Sequence, residues 1–264
     1  MGQVWTIASG KGGVGKTMIT AALGTTLSSR HLRCAVMDGD IGLRNLDLWL
    51  GMENRIVFDV LDVAKKECKL KYALVQNAKH PALSLLPASQ MGDPADLDAD
   101  ALAWVLEKLK KHFTYVFMDA PAGLGPSVHA MLKTTDEILL VTTPDDIAIR
   151  DAERLIALSD EHRKSRPLLV VNMIYPELVC AGEMYSPRTV ANVLDIPLLG
   201  FIPHDLQVLR AASRHEPFMD TDCPAKQAMD RICRRFTGDP VPMPEFHKKR
   251  SRIWRRKKKE GVLL

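Results

Sequence analysis

The stretch Gly10-Lys11-Gly12-Gly13-Val14-Gly15-Lys16-Thr17 decides the fold. It fits the pattern G-x-x-x-x-G-K-[ST], in which glycines let backbone N–H groups turn inward and cradle phosphate oxygens. Its flanks supply the context this pattern needs. Val4 to Ala8 is an apolar run that predicts a buried strand, and Met18 to Ser29 predicts a helix. The helix N-terminus adds a partial positive charge, Lys16 adds a full one, and the Thr17 hydroxyl is a candidate Mg²⁺ ligand. Gly10 to Met18 is therefore the candidate nucleotide cradle. Lys11, directly after the first glycine, is not required by the pattern. It is either extra positive charge beside a triphosphate during phosphoryl transfer or a solvated loop lysine.

Outward from the loop, strand and helix signals alternate along the chain. That alternation predicts an α/β fold, a mostly parallel twisted sheet with helices on both faces. Strands are expected at Arg33–Met37, Leu83–Leu86, Tyr115–Met118, Glu137–Thr142, Leu168–Val171 and Leu198–Ile202. Helices are expected at Val57–Lys66, Asp98–Lys111, Asp146–Arg163, Leu206–Ser213 and Ala225–Phe236. In such sheets ligands bind beyond the carboxyl ends of the strands, and the chain places polar residues there. Asp119 closes an apolar strand, where a phosphate-loop enzyme keeps the acid that serves Mg²⁺. Asp38 and Asp40 end the second strand, where a carboxylate can orient or deprotonate an attacking water; Asp-Gly-Asp is equally a turn sequence. Asn172 ends another strand, and its amide either reads an adenine edge or is a plain strand-end asparagine.

At 264 residues the chain suits a single ATPase-sized domain, expected over residues 1–239. Pro240, Pro242 and Pro244 then mark a linker, and residues 240–264 form a basic tail. Residues 245–264 carry nine Lys or Arg against two Glu, a net +7; the remainder, with 27 basic and 30 acidic residues, is −3. The acidic body argues against a broad nucleic-acid surface, and the tail argues for an anionic partner. The five cysteines form no C-x-x-C pair and are expected to be reduced thiols of the cytoplasm. The N-terminus runs straight into a strand, so no leader peptide is expected, and no apolar run is long enough to span a bilayer.

The lysine-bearing loop resembles the MinD/ParA family of deviant Walker A P-loop ATPases, of the SIMIBI-like kind. Further stretches are similar to its division-site branch, the septum site-determining MinD proteins. These are Met37-Asp38-Gly39-Asp40-Ile41-Gly42-Leu43-Arg44-Asn45-Leu46-Asp47, Leu86-Pro87-Ala88-Ser89-Gln90, Asp119-Ala120-Pro121-Ala122-Gly123 and Gly200-Phe201-Ile202-Pro203-His204-Asp205. The resemblance covers residues 3–236 and implies ATP hydrolysis to ADP with Mg²⁺. It implies that Lys16 binds the β- and γ-phosphates, that Thr17 and Asp119 serve the metal, and that Lys11 reaches a partner subunit's ATP. Asp40, with Asp38 beside it, would position the hydrolytic water. Asn172, Pro203, His204 and Asp205 would contact adenine. Arg150, Asp151 and Glu153 match the family's partner-binding surface. The resemblance also implies a homodimer formed with ATP, recruitment of the division inhibitor MinC, and a topological partner such as MinE. Attachment would be peripheral, on the inner face of the cell membrane.

The tail departs from the short amphipathic helix of that branch. Phe246, Ile253 and Trp254 share one helical side, but Arg250 and Lys257 lie there too. The expected ligand is an anionic membrane surface reached by Phe246, Ile253 and Trp254. The alternative is a ParA-type partition ATPase using the tail on DNA; the GLRNLD and PASQ runs favour the first. An iron–sulphur carrier of the family needs cysteines at the second switch or near the C-terminus, and Asp119 to Pro126 holds none.

Overall fold

The computed structural model describes residues 2–162 and 164–246. β1 (Gln3–Ala8) leads through the glycine loop into α1 (Lys16–Ser28), and β2 (Cys34–Asp38) follows. Three short helices, α2 (Leu46–Leu50), α3 (Val60–Ala64) and α4 (Leu70–Ala73), bring the chain to β3 (Val75–Gln76) and β4 (Leu83–Leu86). The regular alternation then resumes with α5 (Ala99–Lys110), β5 (Tyr115–Asp119), α6 (Pro126–Thr134), β6 (Glu137–Thr142), α7 (Asp146–Glu161) and β7 (Leu168–Ile174). Two further helices, α8 (Pro176–Ala181) and α9 (Pro187–Leu194), precede β8 (Leu198–Pro203), and α10 (Leu206–Ser213) and α11 (Pro224–Phe236) close the body.

The eight strands form one sheet in the order β3-β4-β2-β5-β1-β6-β7-β8. Every neighbour pair is parallel except β3 with β4. The central strands are apolar and buried along nearly their whole length, as a sheet covered on both faces requires. Alternation divides their side chains between two cores. Val4 and Ala8 of β1 pack on the side of α3, α5, α6, α7 and α9, while Trp5 and Ile7 pack on the side of α1 and α11. β1 lies between β5 and β6: its own connection runs to β2 on one side, and the connection from β5 crosses to β6 on the other. The crevice above its carboxyl end is where this topology places a ligand.

Several expectations needed adjusting. The helix expected over Val57–Lys66 is confined to Val60–Ala64, because Asp59 caps it. The Asp59 carboxylate accepts from the N–H groups of Leu61 and Asp62, and the Asp62 carboxylate accepts from Asp59 N–H. β7 runs on to Ile174, which moves Asn172 inside the strand, next to an irregularity in its pairing with β8. The two-residue β3 and the helices α4, α6, α8 and α9 had no sequence expectation. After α11 the chain is tied back by Arg235, whose guanidinium donates to the carbonyls of Leu199, Val241 and Pro242 at 3.0, 2.7 and 2.7 Å. Phe246 then packs on Phe201 of β8 with ring centroids 5.0 Å apart. Arg163, expected to end the long helix, lies outside the described residues, as do Ile253 and Trp254. Among the described residues no helix is long and apolar enough to cross a membrane.

Candidate functional site

The glycine loop spans the gap between the end of β1 and the start of α1. Gly13 and Gly15 have φ of 78° and 95°, and Gly15 is the N-cap residue of α1. A Cβ at Gly15 would lie 2.3 Å from Nδ2 of Asn172, so only glycine fits. That approach is purposeful: Asn172 Nδ2 donates to the Val14 carbonyl at 2.8 Å. The irregularity in β7, with Met173 at φ 58°, aims Asn172 at the loop. The amide expected to read adenine thus holds the loop in shape.

Lys16, at the first position of α1, is 7% exposed. Burial pulls its ammonium below the usual lysine range, against the carboxylates of Asp119 and Asp40. A cation so desolvated needs negative partners, and phosphate oxygens supply them. Asp119 sits at the end of β5, in register with Ile7 of β1 and Asp38 of β2. Its carboxylate accepts from the hydroxyls of Thr17 at 2.6 Å and Thr20 at 3.2 Å. Burial, and next the Asp38 charge, push its carboxyl up to about 7 against those hydrogen bonds and Lys16. Two hard oxygens on a buried floor fit Mg²⁺, which keeps most of its shell as water and phosphate oxygens. Thr17 and Asp119 are the residues that would hold it. Consistent with so sparse a donor set, no group of three or more His, Cys, Asp or Glu poised for a metal occurs among the described residues.

Asp38 and Asp40 divide their work differently from the sequence expectation. The Asp38 carboxylate, 1% exposed, accepts from the backbone N–H groups of Asp40, Asn45 and Leu46, each at 3.0 Å. Burial raises it to about 6 even so. Asp38 therefore folds the loop that follows β2 and caps α2. Asp40 is half-buried; burial raises its carboxyl, and the Lys16 charge opposes that rise. Lys11 leaves the loop in the other direction. Its ammonium lies 3.4 Å from Asp145, with both side chains more than 40% exposed. Asp145 also caps α7 by accepting from Ala148 N–H.

Beside the loop lies a cavity of 290 Å³. Asn172, Pro203, His204, Asp205 and Met18 line it, so the residues carried over as adenine contacts are brought together. The Asp205 carboxylate, however, accepts from the N–H groups of Gln207 and Ala225, which joins α10 to α11. His204 stacks on Tyr175, centroids 4.6 Å apart. Trp49, Met173 and Leu209 also line the cavity; no sequence signal pointed to them as a group. On α7, Arg150 and Glu153 are exposed, while Asp151 is half-buried and paired with Arg154 at 3.1 Å. That surface adjoins the loop, because a Cβ at Gly10 would meet the Asp151 carbonyl at 2.2 Å. Phe246, expected at a membrane, is far down the chain and packed on Phe201.

A phosphate loop after β1, a buried lysine at a helix start and a carboxylate at the end of the neighbouring strand β5, paired with a threonine of α1, define a P-loop nucleotide hydrolase. A family model described as ParA, NUBPL iron-transfer P-loop NTPase, matches residues 1–237. The septum site-determining protein MinD of Helicobacter pylori is 40% identical over 257 residues, 95% of this chain and 96% of that one. The MinD of Bacillus subtilis is 39% identical over 246 residues, 92% of each. Among solved structures, the MinC:MinD complex of Aquifex aeolicus superposes with a TM-score of 0.85 at 34% identity, covering 92% of this chain and 99% of that one. The chain belongs to the ParA family of P-loop NTPases, in its septum site-determining MinD branch, and is an ATPase that uses ATP with Mg²⁺.

Proposed function

We propose that this ATPase dimerises on ATP, attaches peripherally to an anionic membrane surface through residues 240–264, and places the division site by holding a MinC-type inhibitor there. The observation that carries the reading is the division of labour in one loop. Lys16 is buried against its own chain's carboxylates, while Lys11 points out of the cradle with its side chain 42% exposed. A cation presented outward from a nucleotide site is suited to a triphosphate on a facing subunit. The Aquifex aeolicus relative, solved with MinC, supports an inhibitor of that kind as the partner. Arg150, Asp151 and Glu153, beside the loop, are the surface proposed to meet it or the partner that stimulates hydrolysis. Asp40 orients the attacking water, and Lys16 and the α1 N-terminus neutralise charge on the transferring phosphoryl group. Bound Mg²⁺ supplies further charge neutralisation there.

The +7 of residues 245–264 contributes at most about 1 kcal/mol per cation near an anionic leaflet. One such tail binds weakly. Two tails carried by a dimer gain a factor of about 10²–10⁴ from avidity, which couples ATP to attachment. The test is sedimentation with anionic vesicles. The full chain is expected to co-sediment with ATP and not with ADP, and deletion of residues 245–264 is expected to abolish it. Tight binding to duplex DNA with none to vesicles would overturn the reading.

A further inference from the structure

Two lysine-rich segments that are far apart in sequence meet beside α5. After α3 the chain turns at Lys66, at φ 64°, and α4 packs back on α3, which itself packs on α5. The result is an open cleft of 610 Å³ lined by Lys66, Lys69, Lys71 and Lys108, with Glu67 the single acid among its lining residues. None of these four lysines is ion-paired among the described residues, whereas their neighbours Lys65 and Lys110 are held by Asp96 and Asp136. Trp104 lines the cleft too, with the ammoniums of Lys108 and Lys66 at 4.2 and 5.5 Å from its ring centroid. Next to it Tyr72 is 58% exposed, with Lys71 at 4.7 Å.

Four unpaired cations at close quarters repel one another, and they do so on a body that is −3 without its tail. A facing polyanion relieves that repulsion. The cations lining the cleft are lysines, compact point charges suited to a diffuse anionic layer, without the forked geometry by which arginine reads one phosphate. Lysine beside tryptophan and tyrosine is also the composition that settles at a lipid headgroup layer. Trp104 and Cys68 pack on the same side of the sheet as Phe246, from which residues 247–264 depart. Those 18 residues reach as far as about 60 Å when extended, so tail and cleft can meet one plane.

We infer that the α4–α5 cleft is a second contact with the anionic lipid surface, fixing how the body lies once the tail has brought it there. The inference rests on the membrane attachment proposed above. Its test uses the full chain, ATP, Mg²⁺ and phosphatidylglycerol-containing vesicles. Replacing Lys66, Lys69 and Lys108 together by Glu is expected to weaken vesicle binding by about tenfold or more. The salt dependence is expected to become shallower, with the melting temperature and the vesicle-free ATPase rate unchanged. The corresponding Gln variant, which only removes charge, is expected to fall between. Wild-type affinity and salt dependence in the Glu variant would overturn the cleft's role while leaving the tail's intact. No vesicle binding by the wild type would overturn both. Loss of duplex-DNA binding with vesicle binding unchanged would assign the cleft to nucleic acid and overturn the inference.

Discussion

Two lysines of one loop, five residues apart, live in opposite surroundings. Lys16 is 7% exposed and lies in the field of Asp119 and Asp40. Among the described residues Lys11 is held only by an ion pair to Asp145 at 3.4 Å, in which both side chains are more than 40% exposed. The inner half of the loop is already assembled: Asn172 pins Val14, Gly15 caps α1, and Thr17 is hydrogen-bonded to Asp119. The outer half is loosely tied to the start of α7. The same charge in the same motif therefore serves two ends. Burial makes Lys16 dependent on a ligand of its own chain, while exposure leaves Lys11 available to something outside it.

The strongest way to break this contrast is Lys16→Ala. It leaves Asp119 and Asp40 without their buried cation, and losing one member of a buried charge pair costs about 3–5 kcal/mol. Titration calorimetry with ATP and Mg²⁺ is expected to show affinity lower by at least about 10²-fold, by the same reckoning. Near-wild-type affinity would mean that the cradle N–H groups carry the binding alone. Lys11→Ala is expected to do the reverse. Nucleotide affinity should stay within about fivefold, since an exposed cation contributes about 1 kcal/mol or less. Dimer formation in gel filtration and ATP turnover should be lost together. Turnover at the wild-type rate would return Lys11 to being a solvated loop residue.

The same contrast explains what the sequence disclosed. The inner half was legible because its chemistry is compressed into eight consecutive residues with a strand before and a helix after. Asp119 and Asp40 were legible because strand ends are where this sheet gathers ligands. The register of β2 with β5, which sets Asp38 beside Asp119, was not readable, because the two strands are separated by about eighty residues of other structure. Asp38 was expected to share the chemistry with Asp40; its three backbone hydrogen bonds depend on how residues 40–46 curl, which no motif encodes. Trp49, Met173 and Leu209 meet at the cavity only through tertiary packing. Asn172 was noticed for its position but not for its hold on the loop, because the irregularity that turns it toward Val14 has no sequence mark. The iron-transfer activity in the family description finds no support in the cysteines. Cys34, Cys223 and Cys233 are buried, and burial, the largest cause, raises the thiols of Cys34 and Cys233 to about 12.

The smallest expected effect separates two of the bonds that Asp145 makes. Its carboxylate caps α7 through Ala148 N–H and also meets Lys11. Burial works to raise its carboxyl, but the Thr143 and Ala148 hydrogen bonds and the Lys11 charge together hold it below the usual carboxylate range. Asn caps a helix about as well as Asp, whereas Ala forfeits about 1 kcal/mol. An ion pair this exposed is worth about 0–1 kcal/mol. Asp145→Ala is therefore expected to lower the melting temperature by about 2–4 °C, the shift that 1 kcal/mol produces in a domain of this size. Asp145→Asn should leave it within about one degree, because it keeps the cap and removes only the weak pair. Should Asp145→Asn destabilise as much as Asp145→Ala, the Lys11 pair is a structural fixture, and the outer half of the loop is as firmly built as the inner. Equal stability of Asp145→Asn and wild type would leave Lys11 the one cation of the loop that the folded chain does not need for itself.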